Sequence, residues 1–433
     1  MEKLFKLKEN GTDVRTEVIA GITTFMTMAY IIFVNPAILS KAGMDFGAVM
    51  TATVLSAGFT TLLNALYPNI PFALASGMGL NAFFAFTVAK QIGWQAALGV
   101  VFIEGIAFLV LAITGALSAA DAAVPASLKR AVSVGIGLFI ALIGMRSAGI
   151  VVGNPDTLIS MGDLTQPGPG LALIGLILTA VLMALRVRGA ILLGILITTA
   201  IGIPMGITKV TGSIIGKPAS LAPVFMKMDI AGAFSAGIMT IFAFAFVDIF
   251  DTMGTLVGTA ARSGLLDEKG RYPKTKPAMI VDAIGTVLGA VLGTSTVTTY
   301  VESSAGIAEG GRTGLTSLVV ALLFFLSLIF SPLAGMVPAQ ATAPALIIVG
   351  VLMMAAVTRI NFEDFTEAFP AFITISVMPF TGSIASGIAA GFVTYPIVKL
   401  VAGRAREVHW IVYVLGLVSL LHFIPSLTKA LGL

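Results

Sequence analysis

The chain has no cysteine and only two histidines, and just 11% of its 433 residues are charged. The absence of cysteine excludes disulfide bonds, thiolate catalysis and cysteine-bound metals. Both histidines, His409 and His422, lie in the C-terminal tail, so an imidazole-based metal site is not expected. We therefore expect no metal and no cofactor. Without a nucleophile-plus-base arrangement or a cofactor loop, we do not expect an enzyme.

What the chain has instead is apolar sequence, with 57% hydrophobic residues and a mean hydropathy of +1.03. A soluble domain this apolar would lack the polar residues needed to cover its surface. Apolar runs near twenty residues recur along the chain, each long enough to cross a hydrocarbon core of about 30 Å. We therefore predict an all-α polytopic membrane protein, in contact with lipid and not with nucleic acid.

Hydropathy fits about twelve to fourteen crossings. Three further apolar pieces of uncertain depth lie within 366–428. The other predicted spans are 16–38, 49–68, 71–89, 95–118, 127–148, 171–186, 189–208, 231–260, 277–293, 295–309, 313–333 and 341–357.

Positive charges orient the predicted spans. The loop 151–170 carries acids and no basic residue, which suits the side opposite to the N-terminus. Lys209, Lys217 and Lys227 do not fit this pattern. We expect a cytoplasmic N-terminus in a plasma (inner) membrane. The basic residues that fall on the N-terminal side are Lys3, Lys6, Lys8, Arg15, Lys129, Arg130, Arg186, Arg188, Arg262, Lys269, Arg271, Lys274 and Lys276.

Five charged side chains fall inside these apolar runs: Glu104, Arg146, Asp248, Asp251 and Glu302. A charge at bilayer depth costs roughly 3 kcal/mol or more, so it normally faces a cavity and has a function. Arg146 can also extend to the membrane interface. Glu104 has two alternatives, pairing with Arg146 or with a backbone group, and its role stays open between proton coupling and structure.

Asp248 and Asp251 are three residues apart and so occupy neighbouring positions on one helix face. Two carboxylates in a low-dielectric site repel each other, which favours one of them keeping a proton. The pair is therefore a candidate proton carrier. The alternative is a polar cluster that only holds helices together.

Glu302 follows Thr298, Thr299 and Tyr300 in a run that is β-branched before the acid and rich in Gly and Ser after it. This pattern predicts a short extended piece leading into a half-helix. A carboxylate there can accept two N–H donors from a flat heterocycle, one per oxygen. The alternative is a structural pairing with backbone or an arginine.

A second broken span is predicted where Pro71, Gly77 and Gly79 interrupt an apolar run. The break leaves Asn81 near the start of the following helix. The amide of Asn81 offers both a donor and an acceptor, as the edge of a purine requires.

The two broken segments suggest internal symmetry. One common offset pairs Asn81 with Glu302 and Thr27 with Asp248. Paired broken spans in corresponding halves are typical of inverted-repeat transporters, which hold substrate where half-helices end near mid-membrane. We expect one transmembrane domain, 1–433, containing repeats at 16–208 and 231–428.

Four segments resemble a known family: GITTFMTMAYIIFVNP, ASGMGLNAFFAF, FVDIFDTMGTLVG and TSTVTTYVESSAGIAEGGRTGLTS. The chain resembles the AzgA-like purine permeases, a branch of the nucleobase–cation symporter superfamily that includes xanthine and uracil permeases. The similarity keeps the order of the motifs from about residue 5 to beyond residue 400.

The resemblance implies about fourteen spans in a seven-plus-seven inverted repeat, divided into a core and a gate domain. It also implies short strands in spans three and ten, with substrate between them. Symmetry leaves room for two spans in the tail, whereas three apolar pieces are present. FPAFITISVMPF (369–380) is short and flanked by proline, so half a span or a bent continuation is expected.

From the residues and the resemblance together we expect a proton-coupled importer of purine nucleobases, chiefly guanine and hypoxanthine, with adenine as a further substrate. The alternative is an anion transporter of the related sulfate-permease architecture. Whether two chains form a homodimer stays open. The expected substrate-binding residues are Glu302, Asn81, Asp248, Gly79, Thr298 and Thr299, and the expected proton-coupling residues are Asp251 and Asp248.

Overall fold

The computed structural model describes residues 2–117, 123–210, 212–262, 265–267, 272–421 and 423. In this part of the chain, ten helices are long and apolar enough to cross a membrane. Shorter helices and two pairs of very short strands complete the structure. The prediction of a mostly helical polytopic membrane protein is confirmed.

The N-terminal half contains ten described helices. A π-helical stretch, Phe84–Val88, joins the fifth helix to the sixth. The helices are α1 (Glu2–Phe5), α2 (Val14–Met28), α3 (Ile31–Leu39), α4 (Phe46–Leu66), α5 (Met78–Phe83), α6 (Ala89–Ile92), α7 (Trp94–Thr114), α8 (Ala126–Ala148), α9 (Pro167–Ala184) and α10 (Ala190–Ile201).

The C-terminal half contains a further ten described helices. They are α11 (Ile230–Ala233), α12 (Ile238–Arg262), α13 (Thr275–Leu292), α14 (Ser303–Ala308), α15 (Gly314–Ser327), α16 (Ser331–Met336), α17 (Ala339–Met354), α18 (Phe365–Thr381), α19 (Ile384–Val401) and α20 (Trp410–Leu421).

The three apolar pieces predicted in the tail are three helices, α18, α19 and α20. The segment 369–380 lies inside α18, which runs unbroken through Pro370 and Pro379. Whether this segment is half a span or a bent continuation in the membrane stays a prediction. The last residues of the predicted second repeat, 424–428, lie outside the described residues, as does His422.

The four strands are β1 (Leu74–Ser76), β2 (Val151–Asn154), β3 (Leu158–Met161) and β4 (Val297–Thr299). β2 and β3 form a hairpin in the long acidic loop. β1 and β4 pair with each other in antiparallel register, although they come from opposite halves of the chain. The predicted short strands in both broken spans are confirmed.

Helix starts follow from short polar side chains in the loops. The carboxylate of Asp13 accepts hydrogen bonds from the backbone N–H groups of Arg15 and Thr16 at the start of α2. Asp45 does the same for the N–H of Ala48 in α4. Such caps satisfy the first N–H groups of a helix, which have no partner inside it.

The long helices pack in two groups, which we name the core group and the gate group. Contacts between helices of the two groups include those of α12 with α19, α5 with α8, α3 with α17 and α2 with α10. The core group consists of α2, α3, α4, α5, α7, α12, α13, α14 and α15 with β1 and β4, and the gate group of α8, α9, α10, α17, α18, α19 and α20.

Small residues let the gate helices α8 and α17 approach closely. A Cβ atom added to Gly350 would lie 2.5 Å from the carbonyl oxygen of Gly137. Contacts of this kind drive helix association in membranes, where lipid is as apolar as the helices themselves.

A cluster of ion pairs ties the ends of two gate helices to the loop after α19. The buried ammonium of Lys399 lies 2.7 Å from Oε1 of Glu367 and 3.0 Å from Oε2 of Glu407. Arg404 in turn binds the carboxylates of Asp364, at 2.6 Å, and Glu407, at 2.7 Å. These pairs fix the packing of α18 against α19.

Candidate functional site

The antiparallel pair of β1 and β4 brings the two broken spans together. Ala75 lies opposite Thr298 in the register. The ladder continues at both ends, where Gly77 N–H donates to the Thr296 carbonyl at 2.9 Å and Tyr300 N–H to the Ala73 carbonyl at 3.0 Å. Buried backbone is satisfied in this way without a continuous helix. The half-helices α5 and α14 start directly after the two strands.

Glu302 occupies the N-cap position of α14, but its side chain makes no capping hydrogen bond. Its Oε1 atom instead accepts a hydrogen bond of 2.7 Å from the hydroxyl of Tyr30. Tyr30 is buried at the break between α2 and α3. The N-terminal helices therefore position the carboxylate of Glu302 at the start of α14. Glu302 is half-buried, and a carboxylate has about four acceptor sites, which leaves capacity for a ligand.

Asp248 and Asp251 both lie on α12, yet they have different surroundings. The side chain of Asp248 is fully buried, whereas Asp251 is exposed. Asp251 lies close enough to Glu302 for their charges to interact. The two aspartates therefore lie in different surroundings, although they are close enough for their charges to interact, and their joint role as a proton carrier stays a prediction. Asp251 belongs with Glu302, and Asp248 belongs to a buried cluster behind it.

That buried cluster contains Glu104 on α7, Asp248 on α12 and Asp282 on α13, all with no solvent exposure. The carboxyl groups of Glu104 and Asp248 face each other within hydrogen-bonding range. Asp248 Oδ2 also contacts the hydroxyl of Thr286 at 3.0 Å, and Asp282 Oδ1 accepts from Thr252 at 2.9 Å. The core group thus holds three acids around one point.

Thr298 and Thr299, predicted to bind substrate, have partners inside the protein. The hydroxyl of Thr298 lies 2.7 Å from that of Thr252. The hydroxyl of Thr299 donates to Asp282 Oδ1 at 2.8 Å. Their side chains therefore join β4 to the buried acids, and direct contact of either threonine with substrate stays a prediction.

Asn81 lies in the half-helix α5, as predicted, and its side chain is completely buried. Neither its amide nitrogen nor its amide oxygen has a hydrogen-bond partner among the described residues. A buried amide without partners is expensive for a protein unless a ligand or water satisfies it. This makes Asn81 a strong candidate for ligand recognition.

The structure places Gly79 at a contact between the two groups of helices. A Cβ atom at this position would lie 2.5 Å from Cγ2 of Ile136 on α8. The glycine is thus required for the close approach of α5 to the gate group. Its predicted contact with substrate stays a prediction.

The predicted alignment of Asn81 with Glu302 in an inverted repeat stays a prediction. Glu302 is the N-cap of its half-helix, whereas the N-cap of α5 is Gly77, four residues before Asn81. Asn81 therefore lies about one turn further into its half-helix than Glu302 does. Substrate-facing groups can come from different turns of the two half-helices.

Arg146 is exposed near the C-terminal end of α8, and its interfacial position stays a prediction. The alternative pairing of Glu104 with Arg146 is wrong, because the polar neighbour of Glu104 is Asp248. No group of His, Asp or Glu residues in the described ranges could hold a metal ion.

Two residues of the site were missed from sequence. Asp282 is a charge inside the predicted span 277–293, so the rule that selected the other acids would also have found it. Tyr30 has no comparable signal, because a tyrosine in an apolar run is ordinary. Its role follows only from the contact between the first span and Glu302.

Comparison with known proteins finds a family and close relatives of this chain. Residues 15–390 match the Permease family of the xanthine and uracil type. The chain is 46% identical over 427 residues to the adenine permease AdeP of Escherichia coli, covering 98% of this chain and 96% of AdeP. It is 45% identical over 438 residues to the guanine/hypoxanthine permease PbuG of Bacillus subtilis, covering 98% and 99%.

Among solved structures, the transmembrane domain of the cyanobacterial bicarbonate transporter BicA has the same fold. The TM-score is 0.66 at 15% sequence identity, over 87% of this chain and 97% of that domain. Identity this low supports the fold alone.

Proposed function

Because the chain belongs to the xanthine and uracil type of the Permease family, and is therefore a membrane permease and not an enzyme, we propose that it imports purine nucleobases together with protons. One observation carries the proposal. In one broken span, the carboxylate of Glu302 accepts a hydrogen bond from Tyr30. In the other broken span, the buried amide of Asn81 has no partner among the described residues. An acceptor plus an amide matches the mixed edge of a neutral base.

The proposed substrates are guanine and hypoxanthine, with adenine as a further substrate. Relatives at 44–46% identity carry the names adenine permease and guanine/hypoxanthine permease. Relatives named for either kind of purine are thus about equally similar to this chain. Glu302 and Asn81 would bind the edge of the base, with Asp248, Gly79, Thr298 and Thr299 around them. Asp251, next to Glu302, is the exposed acid of the site.

Proton coupling is proposed for Asp248 and Asp251. No Lys, Arg or His of the described residues forms an ion pair with either acid. An acid without a cationic partner at bilayer depth is most stable when protonated. Loading and release of a proton at these acids would change the charge of the site in step with substrate.

The architecture proposed for transport has fourteen spans in two inverted repeats, 16–208 and 231–428. In this arrangement α2 and α3 form the first span, α18 and α19 the last two, and α20 is an addition. The core group would carry the site past the gate group. The protein would lie in the plasma membrane with its N-terminus in the cytoplasm. A homodimer is compatible with this arrangement.

The rival function is anion transport, which the likeness to BicA brings forward. The charges of this site oppose it. Glu302 and Asp251 lie close together, and three buried acids, Glu104, Asp248 and Asp282, lie behind them. No Lys or Arg in the described part of the chain forms an ion pair with any of these five acids. An anion would be repelled by such a site.

Uptake of labelled guanine, hypoxanthine and adenine tests the proposal in cells that lack their own purine uptake. We expect accumulation that a protonophore abolishes and that persists without Na⁺. The variant Glu302→Gln should lose at least about tenfold in uptake, because it removes a charged acceptor for buried N–H groups. It should still reach the membrane.

The matched control is Glu309→Gln. Glu309 ends the same half-helix and pairs with Arg188 at the surface, so its loss should leave uptake unchanged. Unimpaired uptake of all three purines by Glu302→Gln would refute the assignment. Competition by sulfate or bicarbonate, and not by purines, would favour the rival function.

A further inference from the structure

The buried acids differ in how many hydrogen-bond donors reach them. Asp282 Oδ1 receives two hydroxyl groups, from Thr252 at 2.9 Å and from Thr299 at 2.8 Å. Asp248 is reached by one hydroxyl, that of Thr286, at 3.0 Å. Neither oxygen of Glu104 receives a donor from any other described residue. A buried carboxylate is stable only when donors or cations compensate its charge, so Glu104 is the least able to be ionised.

The hydroxyl of Thr286 gives a second, independent indication. It lies 3.0 Å from Asp248 Oδ2 and also 3.0 Å from the carbonyl oxygen of Val297 in β4. A hydroxyl has one hydrogen and can donate to only one of these acceptors. Asp248 therefore shares its one hydroxyl donor with a backbone carbonyl, and its charge is compensated less well than that of Asp282.

The contact between Glu104 and Asp248 requires a proton. Two ionised carboxylates have acceptors only and would repel, whereas one proton between them makes a hydrogen bond. The helices packed against α7 are α6, α11, α12 and α13, and Lys90, the one charged residue of α6, is exposed. The titratable groups that they direct to this region are Asp248, Asp251 and Asp282, with Tyr300 and Glu302 beyond them.

We propose that Glu104 and Asp248 together hold the proton that is transported with substrate, and that Glu104 is thus a coupling residue that the substrate does not touch. The inference rests on the proposed function and deepens it. Asp251 follows Asp248 by three residues on α12 and is exposed, so it is the acid through which this proton exchanges with the proposed substrate site. Asp282 keeps its two donors and remains the fixed member of the cluster.

Full-length protein in liposomes separates coupling from substrate binding. With an inward gradient of about one pH unit, one coupled proton supports a roughly tenfold accumulation of purine. The variant Glu104→Gln should lose this accumulation and the proton uptake that accompanies it. It should keep the exchange of labelled for unlabelled purine, which needs no net proton movement. Glu309→Gln should behave like the wild type in both assays.

The two hypotheses fail in different ways. A wild-type protein that neither exchanges nor accumulates purines would refute the proposed function. Wild-type accumulation driven by Na⁺ and not by protons would overturn the proton site while purine transport stands. Proton-driven accumulation by Glu104→Gln at the wild-type level would overturn the site directly. Loss of both assays in a folded Glu104→Gln protein would also overturn it, because the residue would then be structural.

A second variant covers the case in which Glu104→Gln does not reach the membrane. In Glu104→Gln/Asp248→Asn, two amides can hydrogen bond each other without a proton, which restores the contact between α7 and α12. Proton-driven accumulation by this protein would overturn the proposal. Its complete loss, in a double variant that reaches the membrane and has the melting temperature of the wild type, would support it.

Discussion

The hydroxyl of Tyr30 donates a hydrogen bond of 2.7 Å to Oε1 of Glu302 and so joins the first span to the half-helix that follows β4. Thr27, one turn earlier, lies 3.5 Å from the Glu302 carbonyl oxygen. Both contacts fall near the break between α2 and α3. The acid at the centre of the proposed site therefore has a fixed orientation before any substrate arrives.

Removal of this hydrogen bond should weaken substrate binding. We expect Tyr30→Phe to raise the KM of purine uptake roughly tenfold, the effect of a lost hydrogen bond to a charged group, with little change in protein amount. Tyr395→Phe is the matched control, because its hydroxyl donates to Glu367 in the ion-pair cluster of the gate group. An equal KM for Tyr30→Phe and the wild type would show that the acid needs no such positioning.

Two buried asparagines should respond differently to truncation. Within the described residues Asn81 has no partner for its amide, so Asn81→Ala should leave the protein folded and raise KM by about tenfold or more. Asn35 donates to Thr53 and Thr294, so Asn35→Ala should lower the melting temperature. Uptake kinetics and thermal unfolding of both variants test this. An unchanged KM for Asn81→Ala would exclude the amide from recognition.

The contact of Gly79 with Ile136 predicts a rescue. Gly79→Ala should abolish most uptake, because its Cβ would press on Cγ2 of Ile136 and separate α5 from α8. Ile136→Ala removes the atom in the way, so the double variant should recover uptake. If Gly79 is required for contact with substrate instead, the double variant will stay inactive.

The ion pairs of the gate group predict a dependence of stability on pH. Hydrogen bonds from Arg404 hold the pKa of Asp364 at about 2, against an ordinary 3.8, and that of Glu407 at about 2, against 4.5. Because both folded-state pKa values are lowered, their stabilisation is complete above about pH 4.5 and is lost as pH falls towards 2. Arg404→Gln should therefore lower the melting temperature at neutral pH, with a difference from wild type that shrinks over this range.

Thermal unfolding of purified protein at a series of pH values measures the effect. Arg188→Gln is the control, because the Arg188 side chain in its pair with Glu309 is 59% exposed, so the pair should contribute little. A constant difference between Arg404→Gln and wild type from neutral pH to pH 2 would contradict the assignment.

The two broken spans and most of their acids could be predicted from the sequence. The β-branched run around Thr298 predicts extended backbone, and the glycines before Asn81 predict a helix break, because both signals are local. Buried charge is equally visible in an apolar run, and the same rule applies to Asp282. These features need no knowledge of which helices are neighbours.

Partners could not be predicted in the same way. Asp248 and Asp251 are three residues apart, yet one is buried and the other exposed, since a helix turns through roughly 300° over that distance. Whether Asp248 meets Asp251, Glu104 or a basic residue depends on how α7 and α13 pack against α12. That packing is set by side-chain fit over the whole core group.

The pairing of β1 with β4 also sets an order on the making of the protein. Tyr300 and Ser76, which hydrogen bond at the end of this ladder, are 224 residues apart in the chain. While the ribosome is still synthesising the second half, β1 has no strand to pair with, and its polar backbone must wait in the membrane or its insertion machinery. The proposed site thus cannot form before β4, at residues 297–299 of 433, has been made. We expect a chain released earlier to enter the bilayer without the strand pair on which the proposed purine site is built.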